Sequence, residues 1–287
     1  MKKFTVYFIL LCFLVFLVGC GEVEDTQILA TTKPLYQFAS ILCEATPLKV
    51  DLLVAENISC LHDYTLQVSQ MRKLESAELI ILNGAGFEDF LIDALPNEGN
   101  TVDCSTGIEL HCHTHEHHDE HNHDNDPHIW LSIDNAQKMA ENIYSGLCQM
   151  YPQYTEVFNQ NMNTLRSKFV SLKNQASSLE DVSCRELITF HDGFSYMAES
   201  FDLHILKAIE EESGSEASAQ ELIEIINDIE THNLPAIFTE VSGATSASTI
   251  IQSETGVHVF ALDMALSERN YFEAMEHNIK ILKEALE

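Results

Sequence analysis

The sequence predicts an α/β protein built as two Rossmann-like βα lobes joined by one long, rigid helix. Before residue 105, and again after residue 184, short apolar runs of strand character alternate with amphipathic stretches of helical period. That alternation implies a mainly parallel sheet covered on both faces. Between the two blocks, residues 152–180 keep a single helical period without a break. The chain has 287 residues, 45% of them hydrophobic, enough for one large domain or two of ordinary size, each with a packed core.

Lys2 and Lys3 precede the largely apolar run Phe4 to Val18, which ends in Leu17-Val18-Gly19-Cys20. The run is shorter than the ~20 apolar residues that span a bilayer comfortably, so it reads as a targeting segment. Its ending resembles a bacterial lipobox in which Cys20 becomes the lipidated first residue. Residues 1–20 are therefore expected to be a lipoprotein signal peptide, and the remainder to lie outside the cytoplasm, anchored to the membrane surface.

The first lobe is expected over 21–131. Ile28 to Thr32 reads as a buried strand, and Pro34 opens a helix to about Cys43. Leu48 to Val54 is a second strand, followed by a loop, 55–63, that contains His62. Tyr64 to Ser76 has helical periodicity, with Leu66, Met71 and Leu74 on one side. Glu78 to Asn83 is a third strand, Phe87 to about Leu95 a helix, and Asn100 to Cys104 a fourth strand. A histidine-rich loop (109–125) and Asp126-Pro127-His128-Ile129-Trp130-Leu131 complete the lobe.

A helical segment follows over 132–182. Ser132 caps one helix to about Met150, and Pro152 restarts a second towards Glu180. Tyr154, Val157, Phe158, Met162, Leu165, Phe169 and Leu172 hold helical spacing for about five turns, which suits a strut between two lobes.

The second lobe, 183–287, repeats the first. Strands are expected at Arg185–Phe190, Leu203–Ile209, Pro235–Thr239 and Val257–Leu262. Helices are expected at Phe194–Phe201, Ala219–His232, Ala244–Glu254 and Tyr271–Leu286. In such a pair, ligands bind in the interlobe cleft at the carboxyl ends of the strands.

The formal net charge of −30 argues against nucleic acid and against a face for anionic lipid. It suits a protein that concentrates cations. Six cysteines remain beyond Cys20, namely Cys43, Cys60, Cys104, Cys112, Cys148 and Cys184; they show no Cys-x-x-Cys pair, and their spacing does not choose a pairing.

Three histidines follow a strand or precede a helix on the cleft side: His62, His128 and His191. Asp263, at the end of a strand, offers a carboxylate. Three neutral imidazoles and a carboxylate make a four-coordinate site that suits zinc; more oxygen would favour manganese. The residues alone leave open an ordinary hydrogen-bonded role for each. His204, His232, His258 and His277 fall inside predicted elements and read as structural. Glu240, also at a strand end, would orient a ligand imidazole. His111, His113, His115, His117, His118, His121 and His123 crowd one short stretch with Glu, Asp and Asn between them. They read as a mobile, lower-affinity zinc-collecting segment rather than a fixed site, since holding each ion costs chain entropy.

The strings His62-Asp63-Tyr64-Thr65-Leu66, Asn83-Gly84-Ala85-Gly86-Phe87-Glu88, Asp126-Pro127-His128-Ile129-Trp130-Leu131 and Phe190-His191-Asp192-Gly193-Phe194 resemble one known family. It comprises the solute-binding lipoproteins of bacterial zinc and manganese ABC importers, the ZnuA/TroA-like proteins. The resemblance runs from Thr31 to the last helix. It implies two lobes on one long helix, a single metal in the cleft, and His62, His128 and His191 as its ligands. A histidine at the third position, behind a histidine-rich loop, is the zinc-type pattern. Relatives often carry glutamate directly before the first histidine; here that residue is Leu61, so Asp263, water or the loop must supply the fourth donor, and Asp263 is the expectation. The implied function is capture of Zn²⁺, with Mn²⁺ as the alternative cargo, by a monomer that delivers it to a membrane permease served by a separate ATPase. The chain itself has no phosphate-binding Gly-x-x-x-x-Gly-Lys-Ser/Thr. A surface adhesin on the same scaffold is a further alternative. A zinc hydrolase is disfavoured because His-Glu-x-x-His is absent and arginines are few.

Overall fold

The computed structural model of the protein describes residues 26–54, 64–95, 100–111, 125–210, 218–241 and 246–287. The stretches holding Cys20, His62 and the histidines from His113 to His123 lie outside those residues.

The first lobe carries β1 (Ile28–Ala30), α1 (Lys33–Leu42), β2 (Val50–Leu52), α2 (Val68–Ser76), β3 (Leu79–Leu82) and β4 (Thr101–Asp103). Its four strands are parallel, in the order β2-β1-β3-β4. The second lobe carries β5 (Glu186–His191), β6 (His204–Glu210), β7 (Ala236–Glu240) and β8 (His258–Leu262), again parallel, in the order β6-β5-β7-β8. The two sheets thus share one topology. In each, the order reverses between the first and third strands, which opens a crevice at their carboxyl ends.

Helix boundaries follow local chemistry. Pro34 sits in the first turn of α1, where a missing N–H costs nothing. Ser132 caps α3 (Ile133–Met150) by accepting the Asn135 N–H. Capping boxes of Ser218 with Glu221, and Asn270 with Glu273, start α6 (Ala219–His232) and α8 (Tyr271–Leu286). Two predicted helices come out differently. The stretch from Tyr64 winds only from Val68, because Gln70 turns back to accept the Gln67 N–H and to donate to Tyr64 Oη and Leu53 O. Phe87–Leu95 forms a 3₁₀ segment over Asp89–Ala94. Glu88, at its mouth, points inward instead of lying on a helical face, accepting the Asn83 and Gly84 N–H groups at 2.6 and 3.0 Å.

The long helix α4 (Thr155–Ala176) lies against both lobes. Its Phe169 ring meets Phe38 of α1 at 5.7 Å and Tyr271 of α8 at 6.1 Å, while Phe38 and Tyr271 meet each other at 4.8 Å. One hydrophobic core therefore runs from the first lobe into the second. A smaller cluster around Ile188, Ile225, Ile237 and Ile251 is separate from it, joining α6 and α7 (Ser246–Thr255) to the second sheet. Trp130, fully buried, ties the seam. Its indole N–H donates to Met264 O at 2.8 Å, and its own carbonyl accepts the Tyr271 hydroxyl at 3.0 Å. Among the described residues no helix is long and apolar enough to cross a membrane, and Cys43, Cys104, Cys148 and Cys184 are free thiols.

Candidate metal centre

His128 reaches the cleft from the segment before α3. The turn Asp126-Pro127-His128 folds so that Asp126 Oδ1 accepts both the His128 backbone N–H, at 2.9 Å, and its ring Nδ1, at 2.8 Å. This contact favours the tautomer with the proton on Nδ1 and turns Nε2 towards His191. Burial opposes ionisation of Asp126. The hydrogen bonds from the His128 ring and backbone and from the Ser195 hydroxyl outweigh it, and the carboxyl is held down at about 2.

His191 ends β5 at the crevice of the second sheet. Its Nδ1 lies 3.3 Å from Glu240 Oε1, at the end of the neighbouring strand β7, which leaves its Nε2 facing the cleft. The two Nε2 atoms stand 3.4 Å apart, and both rings are almost wholly buried. Each Nδ1 is set against a carboxylate, and the two Nε2 atoms face each other across the cleft. Two nitrogens at ~2.0–2.1 Å on a tetrahedral zinc stand about 3.3 Å apart.

Gly193 makes room for this approach. A Cβ there would come within 2.8 Å of His128 Nδ1, His191 Cδ2 and the Met264 methyl group. Asp263, one residue before Met264, directly follows β8. The Asp263 carboxylate is buried; Oδ1 accepts the Ala265 N–H at 2.9 Å, and Oδ2 accepts the Ser267 hydroxyl at 2.6 Å and Arg269 at 3.1 Å. Oδ1 keeps a lone pair beyond the Ala265 bond. Among the described residues no set of three or more His, Cys, Asp or Glu side chains converges on one point. His128 and His191 are the pair brought together.

The crevice of the first sheet is filled differently. The Glu88 carboxyl occupies it, reached by Thr31 Oγ1 at 2.5 Å, and Asn83 Nδ2 donates from there to Pro127 O at 2.9 Å, directly behind His128. Burial pushes Glu88 up to about 7 despite its hydrogen bonds to Thr31, Asn83 and Gly84.

Of the other histidines, His111 is not loose: it packs flat on Tyr196, with ring centroids 4.0 Å apart. His232 pairs with Glu186 at 2.8 Å, and His277 Nε2 lies 3.1 Å from Ala261 O. Sequence reasoning missed Asp126 as the group that aims His128, although Asp-Pro-His puts a carboxylate two residues before a ligand candidate. It also missed Ser195 and Tyr196, which meet Asp126 across some seventy positions of chain.

The family model described as ZnuA, zinc-uptake complex component A, periplasmic, matches residues 28–285. The "High-affinity zinc uptake system protein ZnuA" of Bacillus subtilis (strain 168) is 25% identical over 315 aligned positions, covering 99% of this chain and 98% of that one. The "Zinc-binding lipoprotein AdcA" of Streptococcus pneumoniae (strain ATCC BAA-255 / R6) is 27% identical over 311 positions; 99% of this chain is covered, but only 61% of that protein's length. A crystal structure of ZnuA superposes with a TM-score of 0.79 at 25% identity, covering 92% of this chain and all of that one.

Proposed function

The chain belongs to the ZnuA family of periplasmic zinc-uptake components, and from that premise we propose that it is the extracytoplasmic receptor of an ABC importer, with Zn²⁺ as its cargo. The family's named members are zinc-binding transport receptors rather than enzymes. His128 and His191 take the ion through their Nε2 atoms, His62 adds the third imidazole, and Asp263 gives the fourth donor through the lone pair left on Oδ1. Glu240 and Asp126 orient the two rings and keep their Nδ1 atoms protonated. Cys20 carries the lipid that holds the receptor at the membrane. The loaded protein docks on a permease whose ATPase is a separate chain, and the stretch from His111 to His123 gathers zinc at lower affinity.

The observation that carries the reading is the 3.4 Å between the two Nε2 atoms, the edge of a zinc tetrahedron, with a carboxylate behind each ring. A lone pair of structural histidines would not need both protons turned away from the shared space. Binding the ion also ties the lobes by mass action, since only the folded, closed arrangement presents both nitrogens.

The test is a competitive metal titration of residues 21–287 with elemental analysis of what the purified protein retains. One tight zinc per chain is expected, with affinity falling more than about 100-fold in His128→Ala. Retention of manganese in preference to zinc would change the cargo. A wild-type chain that holds no tight divalent ion would end the proposal.

A further inference from the structure

The two ends of the histidine-rich stretch are fastened by one residue of the opposite lobe. Tyr196, in the first turn of α5 (Ser195–Ser200), is 2% exposed. Its hydroxyl accepts the His111 N–H at 2.9 Å and donates to Asp126 O at 3.2 Å. Asp126 N–H donates in turn to His111 O at 2.8 Å, closing a ring of three hydrogen bonds around the neck of the stretch. The His111 imidazole lies flat on the Tyr196 ring, tilted by 11°, with Nδ1 3.4 Å from Ser195 Oγ and Nε2 2.6 Å from Glu199 Oε2.

Asp126 is the hinge of the arrangement. Its backbone closes the neck, its Oδ2 accepts the Ser195 hydroxyl, and its Oδ1 holds His128 Nδ1. Tyr196 is five residues beyond His191 on the same lobe. Hydrogen bonds therefore run without a gap from the neck to one imidazole, and a short covalent path runs from the clasp to the other. The cost of bringing the ends of the stretch together is met by the fold, not by a captured ion.

We propose that Tyr196 is a positioning residue for metal capture. It clasps the neck of the histidine-rich stretch to the second lobe and, through Asp126, sets His128 against His191. The inference rests on the zinc-receptor reading for its consequence but not for the clasp itself. Glu199 contributes little energy, because its ion pair with His111 is largely exposed. The hydroxyl of Tyr196 carries the effect, since it bonds the backbone of both ends at once from the opposite lobe, bracing the direct Asp126 N–H to His111 O bond between them.

Tyr196→Phe keeps the ring stack and removes that hydroxyl. In the metal-free protein, amide exchange at His111 and Asp126 is expected to quicken at least tenfold; unchanged protection would overturn the clasp, whatever the protein binds. In the zinc-loaded protein, release of the tightly held ion to a chelator is expected to quicken about tenfold. A variant in which Gly-Gly replaces 112–124 closes the neck covalently, and in that background Tyr196→Phe should change release no more than twofold. If the substitution lowers the melting temperature but leaves zinc release as in the wild type, Tyr196 only fills space and the proposal fails. If it speeds release equally in the shortened chain, the hydroxyl does not act through the neck and the proposal also fails. Absence of tight zinc from the wild type would remove the receptor reading, and the exchange of the two amides would still decide the clasp.

Discussion

The two lobes have the same strand order and open the same crevice, yet they fill it with opposite chemistry. In the second lobe the strands on either side of the crevice end in His191 and Glu240, and the imidazole is turned outward to the cleft. In the first, the crevice is closed by the lobe's own Glu88. Thr31 Oγ1 faces two acceptors, Ile81 O at 3.2 Å and Glu88 Oε1 at 2.5 Å, but has one hydrogen. A protonated Glu88 supplies the second, which agrees with burial raising its carboxyl to about 7. The lesson is that topology offers a ligand position twice and side chains decide whether it is used. The first lobe's crevice supports the Pro127 carbonyl behind His128, while the second contributes an imidazole itself.

The largest effect that sharpens this contrast belongs to Glu88. Its carboxyl sits at about 7 in the folded chain and in the ordinary carboxylate range when unfolded. Its contribution is fully present below about pH 4.5 and is lost as pH rises to 7, by up to about 3 kcal/mol. Urea unfolding of the metal-free protein between pH 5 and 8 should show that slope in the wild type minus Glu88→Gln, with the variant less stable at pH 5 because one peptide N–H loses its acceptor. A difference that does not vary with pH would mean Glu88 is ionised throughout and the crevices are more alike than described.

Next in size is Gly193→Ala on the other side of the cleft. Its methyl group must displace both imidazoles as well as Met264, and zinc affinity should fall about 10- to 100-fold with little change in the pH slope above. Wild-type affinity in this variant, by the same titration, would mean the rings are not held where they stand. The smallest effect is at the seam: Tyr271→Phe removes the bond to Trp130 O and should cost about 1–2 kcal/mol, seen as a lower urea midpoint at unchanged m.

Much of this architecture was legible in the chain. The alternating blocks and the unbroken period around Phe158, Met162, Leu165 and Phe169 point to two parallel sheets and a strut, because burial on both faces of a sheet leaves an apolar run that few other contexts produce. Local competition was less legible. Nothing in Phe87 to Leu95 shows that Glu88 will leave the surface to serve peptide N–H groups, and Tyr64 does not announce that Gln70 will reach back to it. Within the site, His128 and His191 are readable from strand ends and from the Asp-Pro-His-Ile-Trp string. The support around them is not: Ser195 and Tyr196 meet Asp126 and His111 only because the lobes close on each other, and no period or spacing encodes a contact across that distance. The Asp263 side chain shows the same limit, since its bonds to Ala265, Ser267 and Arg269 are set by its own loop.

The chain contains one tryptophan, and it is Trp130. Its ring lies 5.3 Å from that of His128 and 5.5 Å from Phe87, with its N–H engaged by the other lobe. The protein therefore has a built-in optical probe at its most informative point. Indole emission, excited beyond the tyrosine band, reports the state of the neighbouring imidazole and the integrity of the seam together, with no second indole and no attached dye.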